Sequence, residues 1–175
     1  IEVAQKMSKL TSDALGIDDD DVVVASTGVI GQPLDIEPIK NGIPSLVADL
    51  DSNGSQSAAE GIMTTDTKLK EIAIEFDIDG VTCRIGGIAK GSGMIHPNMA
   101  TMLVFITTDV NIDSGLLQRA LSNNIKDTFN MISVDGDTST NDMVAIMANG
   151  RANNTKITSE DAAYNVFVQA LNTLM

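Results

Sequence analysis

Residues 90–106 pass from a glycine-rich loop directly into a short apolar run, and this junction constrains the fold around it. The loop begins Lys90-Gly91-Ser92-Gly93, and the turn-forming pair Pro97-Asn98 follows it. Proline favours an extended residue before it, and asparagine favours a turn. The run Met102 to Ile106 has the length and composition of a buried strand. Thr101 therefore lies where a loop enters a strand, which is a common location for a catalytic side chain.

The spacing of apolar residues along the chain predicts alternating helices and strands. The predicted strands are Val22 to Ala25, a hairpin with arms 71–76 and 81–88 and a turn at 77–80, and the run after Thr101. The run Val144 to Ala148 is also apolar. The predicted helices are Glu2 to Leu15 closed by Gly16, two short pieces between Pro33 and Leu50, a short helix capped by Ser55, Ser114 to Phe129, and a last helix capped by Ser159. Such alternation is typical of an α/β or α+β layered domain with mixed sheets.

Composition excludes several classes of protein. A chain of 175 residues can form one substantial core or two small ones, and its net charge of −13 argues against a nucleic-acid partner. No apolar run approaches the roughly 18 residues of a membrane span, and no signal peptide is visible. Cys83 is the only cysteine, which excludes an internal disulfide and predicts a small core residue.

Acidic and glycine-rich stretches could suggest a metal or phosphate site, but their spacing argues against both. The run Asp18 to Asp21 lacks spaced partner ligands and is typical of a solvated loop. Asp135, Asp137 and Asp142 lack the glutamate and the spacing of a calcium-binding hand. The glycines between 86 and 93 have neither dinucleotide-binding nor Walker spacing. No metal and no organic cofactor is predicted.

Three motifs resemble the ornithine acetyltransferase family, the bifunctional glutamate N-acetyltransferases of arginine biosynthesis. They are Lys90 to Ile95 with Pro97 to Leu103, Ser26-Thr-Gly-Val-Ile-Gly, and Ser133 to Asp142. The resemblance implies that the precursor cleaves itself between Ala100 and Thr101, and that Thr101 becomes an N-terminal nucleophile. An α-amine with a pKa of roughly 7.7–8.0 is a usable base for its hydroxyl near neutral pH. The third motif would be a hydrogen-bonded turn that frames the nucleophile.

The same resemblance assigns roles to four further positions. The Thr27 hydroxyl and the Gly28 N–H would form an oxyanion hole, in which the missing Cβ lets the reacting carbonyl approach the backbone. Thr64, in Met63-Thr-Thr-Asp-Thr, and Lys90 would bind the substrate. From the residues alone, these positions also fit a turn after a strand, hydroxyls that finish a helix, and a surface lysine.

The activity implied by the resemblance is acetyl transfer from N-acetylornithine to glutamate, with release of ornithine, through an acetyl-threonine intermediate. Some relatives also use acetyl-CoA, which is therefore a further candidate donor. The implied fold is a layered sandwich with mixed sheets between helices, as in N-terminal-nucleophile enzymes. Two other functions remain open. One is an N-terminal-threonine amidohydrolase or aminopeptidase, and the other is a non-catalytic fragment that binds a partner chain.

Cleavage at Ala100–Thr101 would divide the chain into an alpha portion, 1–100, and a beta portion, 101–175. We expect the two portions to form one compact domain, and the resemblance implies an alpha/beta heterotetramer. Members of the family extend beyond both ends of this sequence, so we expect a central fragment of a larger protein. No membrane partner is predicted, and the lack of disulfide potential favours the cytoplasm.

Overall fold

The computed structural model describes residues 1–96, 102–137, 139 and 141–175, and its contacts divide the chain into two compact units. The N-terminal unit is Ile1–Ser55 and the C-terminal unit is Gln56–Met175. The boundary at Ser55 differs from the predicted cleavage position. A single domain across residues 1–175 stays a prediction.

The N-terminal unit consists of two helices and a long irregular connection. Helix α1 spans Glu2–Leu15, as predicted, and ends at Gly16, whose φ of 69° lets its N–H reach the Ser12 carbonyl. Helix α2 spans Glu37–Ala48 and contacts α1. The prediction of two short pieces here is wrong. Pro44 lies inside α2, where apolar residues at helical spacing continue on both sides and keep one helix in place.

The prediction of a buried strand at Val22 to Ala25 is also wrong. The described residues 22–29 have no regular secondary structure, and Val23 is 61% exposed. A strand needs a neighbour that accepts and donates its backbone hydrogen bonds, and no described strand pairs with this run. Its β-branched composition alone is a weak preference that depends on such a partner.

A four-stranded mixed sheet forms the centre of the C-terminal unit, after the short helix α3 (Ser55–Gly61). The strands, in sheet order, are β1 (Lys70–Ile78), β2 (Val81–Lys90), β3 (Leu103–Thr108) and β4 (Met143–Ala148). The predicted hairpin is confirmed: β1 and β2 are antiparallel, with positive φ at Asp79 and Gly80 in the turn. Strand β3 is antiparallel to β2 and parallel to β4. The expected α/β class is therefore confirmed.

Two helices pack against this sheet and against each other. Helix α4 spans Ser114–Asn124 and continues into short 3-10 turns, so it is shorter than predicted. Helix α5 spans Ala162–Leu174, and its N-cap is Asp161, whose Oδ1 accepts a bond from Tyr164 N at 3.1 Å. Ser159 was predicted as that cap. Its hydroxyl instead donates to Asp161 Oδ2, because the helix begins two residues later than the sequence suggests.

The core of the C-terminal unit lies between the sheet and these helices. Cys83, Ile106, Phe167 and Leu171 are fully buried there. Cys83 is the small core residue that the sequence predicted, and burial raises the pKa of its thiol. No helix in the described ranges is both long and apolar enough to cross a membrane.

We expect Ile106→Ala to lower the free energy of unfolding by about 2–5 kcal/mol, because it leaves a cavity at a fully buried position of β3. Urea denaturation followed by circular dichroism would measure this difference. Met147→Ala is the matched control, since Met147 is 51% exposed on the neighbouring strand and its loss should cost no more than about 0.5 kcal/mol. Equal losses for the two variants would contradict the assignment of the core.

Candidate active site

The predicted cleavage position, Ala100–Thr101, lies outside the described residues. The structure describes the residues on either side of it. Met102, immediately after Thr101, is 8% exposed and leads directly into β3, as the sequence predicted. Met102, which precedes the first residue of β3, is thus buried in the core of the C-terminal unit.

Lys90 is the last residue of β2 and is paired in register with Leu103, two residues after Thr101. Its side chain is not the surface lysine that composition alone favours, because the residue is only 4% exposed. Within the described ranges, no group accepts a hydrogen bond from Lys90 Nζ. A largely buried lysine that pairs with no described group and lines a cavity is a candidate for binding an anionic ligand.

A cavity of about 420 Å³ opens beside Lys90. Its wall is mostly apolar and comes from the sheet, from the segment after α4 and from the end of α5. The lining residues are Lys70, Glu71, Ile72, Gly87, Ile88, Ala89, Lys90, Gly91, Ile95, Met102, Val104, Phe129, Ile132, Val134 and Leu174. A cavity of this size with one buried amine can hold a small molecule that has an aliphatic body and an anionic group.

Gly87 shows why a glycine occupies the middle of β2. A Cβ at this position would lie 3.3 Å from the Phe105 carbonyl oxygen and 3.4 Å from Leu174 Cδ2. The missing side chain lets α5 approach the strand closely, which places Leu174 in the cavity wall.

Asp66 connects the loop of Thr64 to the end of β2. Its side chain is fully buried, and Oδ1 accepts bonds from Gly91 N at 2.7 Å and from Lys70 Nζ at 2.6 Å. Its Oδ2 accepts a weaker bond from Thr64 N at 3.4 Å. One carboxylate therefore links the backbone of Thr64 to that of Gly91, the residue that follows Lys90.

The pKa of Asp66 is held at about 2 by these bonds. Burial alone would raise the pKa, but the bonds from Lys70, Gly91 and Thr64 outweigh it. Because the folded-state pKa is below the unfolded value, Asp66 stabilises the fold above about pH 4. This contribution is lost as the pH falls toward 2.

We expect Asp66→Asn to lower the free energy of unfolding by about 2 kcal/mol at pH 7, which is the free energy that corresponds to this pKa shift. The difference from wild type should shrink as the pH is lowered from 4 toward 2. Urea denaturation at a series of pH values would measure it. Asp127→Asn, at an exposed carboxylate of the same unit, should change the stability by no more than about 0.5 kcal/mol. A pH-independent loss in Asp66→Asn would contradict the role of the carboxylate charge.

Thr64 itself is exposed, and it does not line the cavity. The side chain of the next residue, Thr65, forms a hydrogen bond to the glycine-rich loop, with its Oγ1 2.6 Å from Ser92 Oγ. The sequence did not single out Asp66. The signal for it was a carboxylate among hydroxyls in a turn, where backbone N–H groups need an acceptor.

Thr27 and Gly28 lie in the irregular connection of the N-terminal unit, where Thr27 is half-buried and Gly28 is exposed. The predicted turn is present just after them, since Gln32 N donates to the Val29 carbonyl and Gly31 has a φ of 81°. Their role in an oxyanion hole stays a prediction. In the described ranges, no cluster of three or more histidine, cysteine, aspartate or glutamate side chains could hold a metal ion.

The sequence matches the profile of the ArgJ family over residues 1–175. It is 52% identical over 171 residues to the arginine biosynthesis bifunctional protein ArgJ 1 of Clostridium acetobutylicum, an alignment that covers 98% of this chain and 42% of that protein. It is also 52% identical over 168 residues to the ArgJ protein of Symbiobacterium thermophilum, covering 96% of this chain and 42% of that protein. The chain thus spans less than half the length of these curated relatives.

A solved structure is also similar to this chain. The crystal structure of the arginine biosynthesis bifunctional protein ArgJ from Bacillus halodurans aligns with a TM-score of 0.50 and 40% sequence identity. The alignment covers 57% of this chain and 52% of that one. The resemblance found in the three sequence motifs therefore agrees with similarity over the whole chain.

Proposed function

Because the chain belongs to the ArgJ family, we propose that it is part of an acetyltransferase of arginine biosynthesis. The reaction is transfer of the acetyl group of N-acetylornithine to glutamate. The observation that carries the proposal is the buried Lys90 in an apolar cavity, paired in register with the residue two positions after Thr101. The register of Lys90 with Leu103 supports the proposal that its amine binds the anionic group of the substrate.

The first step of the proposal is self-cleavage. The Thr101 hydroxyl oxygen attacks the carbonyl carbon of Ala100, and the peptide C–N bond breaks, which leaves an ester and a free Thr101 amine. One water molecule then hydrolyses the ester to the Ala100 carboxylate and the Thr101 hydroxyl. The step generates the α-amine that activates the hydroxyl for transfer.

In the transfer itself, the Thr101 hydroxyl attacks the acetyl carbonyl of N-acetylornithine. The α-amine takes the hydroxyl proton and passes it to the amine of ornithine as the amide bond breaks. The neutral amine of glutamate then attacks the acetyl ester and loses a proton to the Thr101 α-amine. The C–O bond breaks as that proton passes to the threonine oxygen, which restores the hydroxyl. The Thr27 hydroxyl and the Gly28 N–H stabilise the oxyanion of each tetrahedral intermediate. No cofactor takes part, and acetyl-CoA is an alternative donor.

Lys90 binds the carboxylate or acyl part of the substrate in this scheme. Thr64 lies outside the cavity wall, and its contact with the substrate rests on the family resemblance. An amine at the edge of an apolar cavity attracts an anion more strongly than one in bulk solvent. The aliphatic chain of the substrate fits the apolar wall. We also propose an alpha/beta heterotetramer in the cytoplasm, on the basis of the family resemblance and the single cysteine.

The proposal is tested with the protein expressed from its complete reading frame. Intact mass and N-terminal sequencing should show two chains, one of which begins Thr-Met-Leu-Val-Phe. Incubation with N-acetylornithine and glutamate should then yield ornithine and N-acetylglutamate in equal amounts. Release of acetate instead would indicate a hydrolase. A single uncut chain without transfer would overturn the proposal and favour a non-catalytic role.

A further inference from the structure

The loop from Ser133 to Asp142 contacts the chain on both sides of residues 97–101. On the preceding side, Asp135 Oδ2 accepts a bond from Met94 N at 2.7 Å, and its Oδ1 accepts one from Ile95 N at 3.0 Å. On the following side, Asp142 Oδ1 accepts a bond from Met102 N at 3.2 Å. One carboxylate of the same loop therefore holds each flank.

Backbone bonds reinforce both contacts in the same pattern. Val134 N donates to the Ile95 carbonyl at 2.8 Å, and Met143 N donates to the Met102 carbonyl at 3.0 Å. Ile95 and Met102 are also buried, at 4% and 8% exposure. Each flank is thus held through an N–H group, a carbonyl group and a buried side chain. Ile95 and Met102, the described residues on either side, thus both bond to residues of the same loop.

The hydrogen bonds of Asp135 indicate that it stabilises the local backbone conformation and is not a cation ligand. Both of its oxygens accept bonds from N–H groups. The bonds from Met94 and Ile95 hold the pKa of this carboxyl below its usual range, so the side chain is ionised at neutral pH. Bonds to an ionised acceptor are roughly twice as strong as those between neutral groups.

We propose that Asp135 and Asp142 are positioning residues for self-cleavage between Ala100 and Thr101. The inference rests on the proposed function, since it assigns a role in the same reaction. An intramolecular attack depends on alignment of the hydroxyl with the carbonyl, and a displacement of about 1 Å can cost about 100-fold in rate. Asp135 bonds to the described residues before this bond, and Asp142 bonds to the described residue after it.

The experiment measures self-cleavage over time, after pulse synthesis of the protein from its complete reading frame. Asp135→Asn leaves one acceptor oxygen for the N–H groups of Met94 and Ile95, which use both oxygens in wild type. Asp142→Ala removes the oxygen that accepts the bond from Met102 N. We expect each to slow cleavage about 10- to 100-fold. Asp142→Asn keeps an oxygen at the same place and should cleave at nearly the wild-type rate, which makes it the conservative control for Asp142→Ala. If the alanine variant does not fold, Asp135→Asn carries the test.

Asp161→Asn is the matched control. Asp161 is also a carboxylate of the C-terminal unit that accepts backbone N–H bonds, but it caps α5 and does not contact either flank. Its replacement should lower the melting temperature and leave the cleavage rate unchanged.

The outcomes separate the two proposals. If wild type cleaves, and Asp135→Asn and Asp142→Ala cleave at the wild-type rate, the positioning role alone is overturned. If Asp161→Asn also cleaves more slowly, and the cleavage rate of every variant falls in proportion to its melting temperature, the carboxylates have only a structural role. That result would also overturn the positioning role. A wild-type protein that stays uncut would overturn both the proposed function and this inference.

Discussion

Thr101→Ala is expected to abolish both self-cleavage and acetyl transfer. The variant has no hydroxyl to attack the Ala100 carbonyl, so the α-amine is never released, and it has no oxygen to carry the acetyl group. Loss of a catalytic nucleophile typically costs at least about 1,000-fold in kcat. Gel electrophoresis of the purified variant should show one uncut chain, and N-acetylglutamate should not accumulate above the uncatalysed rate.

Thr101→Ser is the control for this prediction. Serine keeps the hydroxyl and, once the chain is cut, the adjacent α-amine, so it should still cleave and transfer, at reduced rates. Activity in the serine variant with none in the alanine variant would assign the chemistry to the hydroxyl. Cleavage of Thr101→Ala at the same bond would instead show that another nucleophile acts there.

Lys90→Met is expected to lower kcat/KM for N-acetylornithine by about 100-fold. Methionine has nearly the same length and fills the same buried space, but it cannot pair with a carboxylate. Loss of one partner of a buried charged contact typically costs about 3 kcal/mol, which corresponds to that factor. The effect should fall mainly on KM if the contact is made equally in the bound substrate and the transition state.

The same substitution should leave the uncomplexed protein as stable as wild type or more so. The Lys90 side chain makes no hydrogen bond or ion pair with a described residue, so its replacement removes no such contact, and methionine suits the apolar wall of the cavity. Lys126→Met, at an exposed lysine of the same unit, should change neither the kinetics nor the stability. An unchanged kcat/KM in Lys90→Met would contradict the role of Lys90 in substrate binding.

Local patterns predicted the elements that depend on neighbours in the sequence. Helix α1 and its Gly16 cap follow from apolar spacing and one left-handed residue, and the β1–β2 hairpin follows from alternation around Asp79-Gly80. The entry of Met102 into β3 follows from a short apolar run after a turn. In each case the residues that decide the structure lie within a few positions of one another.

The features that failed or were missed depend on residues far apart in the chain. Val22 to Ala25 has the composition of a strand but no described pairing partner, and composition does not specify one. The cavity wall requires Gly87 and Leu174, which are 87 positions apart, to meet, and Lys90 lines the same cavity. The bonds of Asp66 to Gly91 and of Asp135 to Met94 cross 25 and 41 positions, a distance over which periodicity carries no information.

Trapping of the acetyl-enzyme shows whether Thr101 carries the acetyl group. The protein, expressed from its complete reading frame, is mixed with N-acetylornithine without glutamate, quenched in acid and analysed by intact mass and peptide mapping. The chain beginning at Thr101 should gain the mass of one acetyl group, located on the threonine oxygen, and should lose it when glutamate is added. Ornithine release without any acetylated Thr101, or an acetyl group on another residue, would show that Thr101 is not the nucleophile.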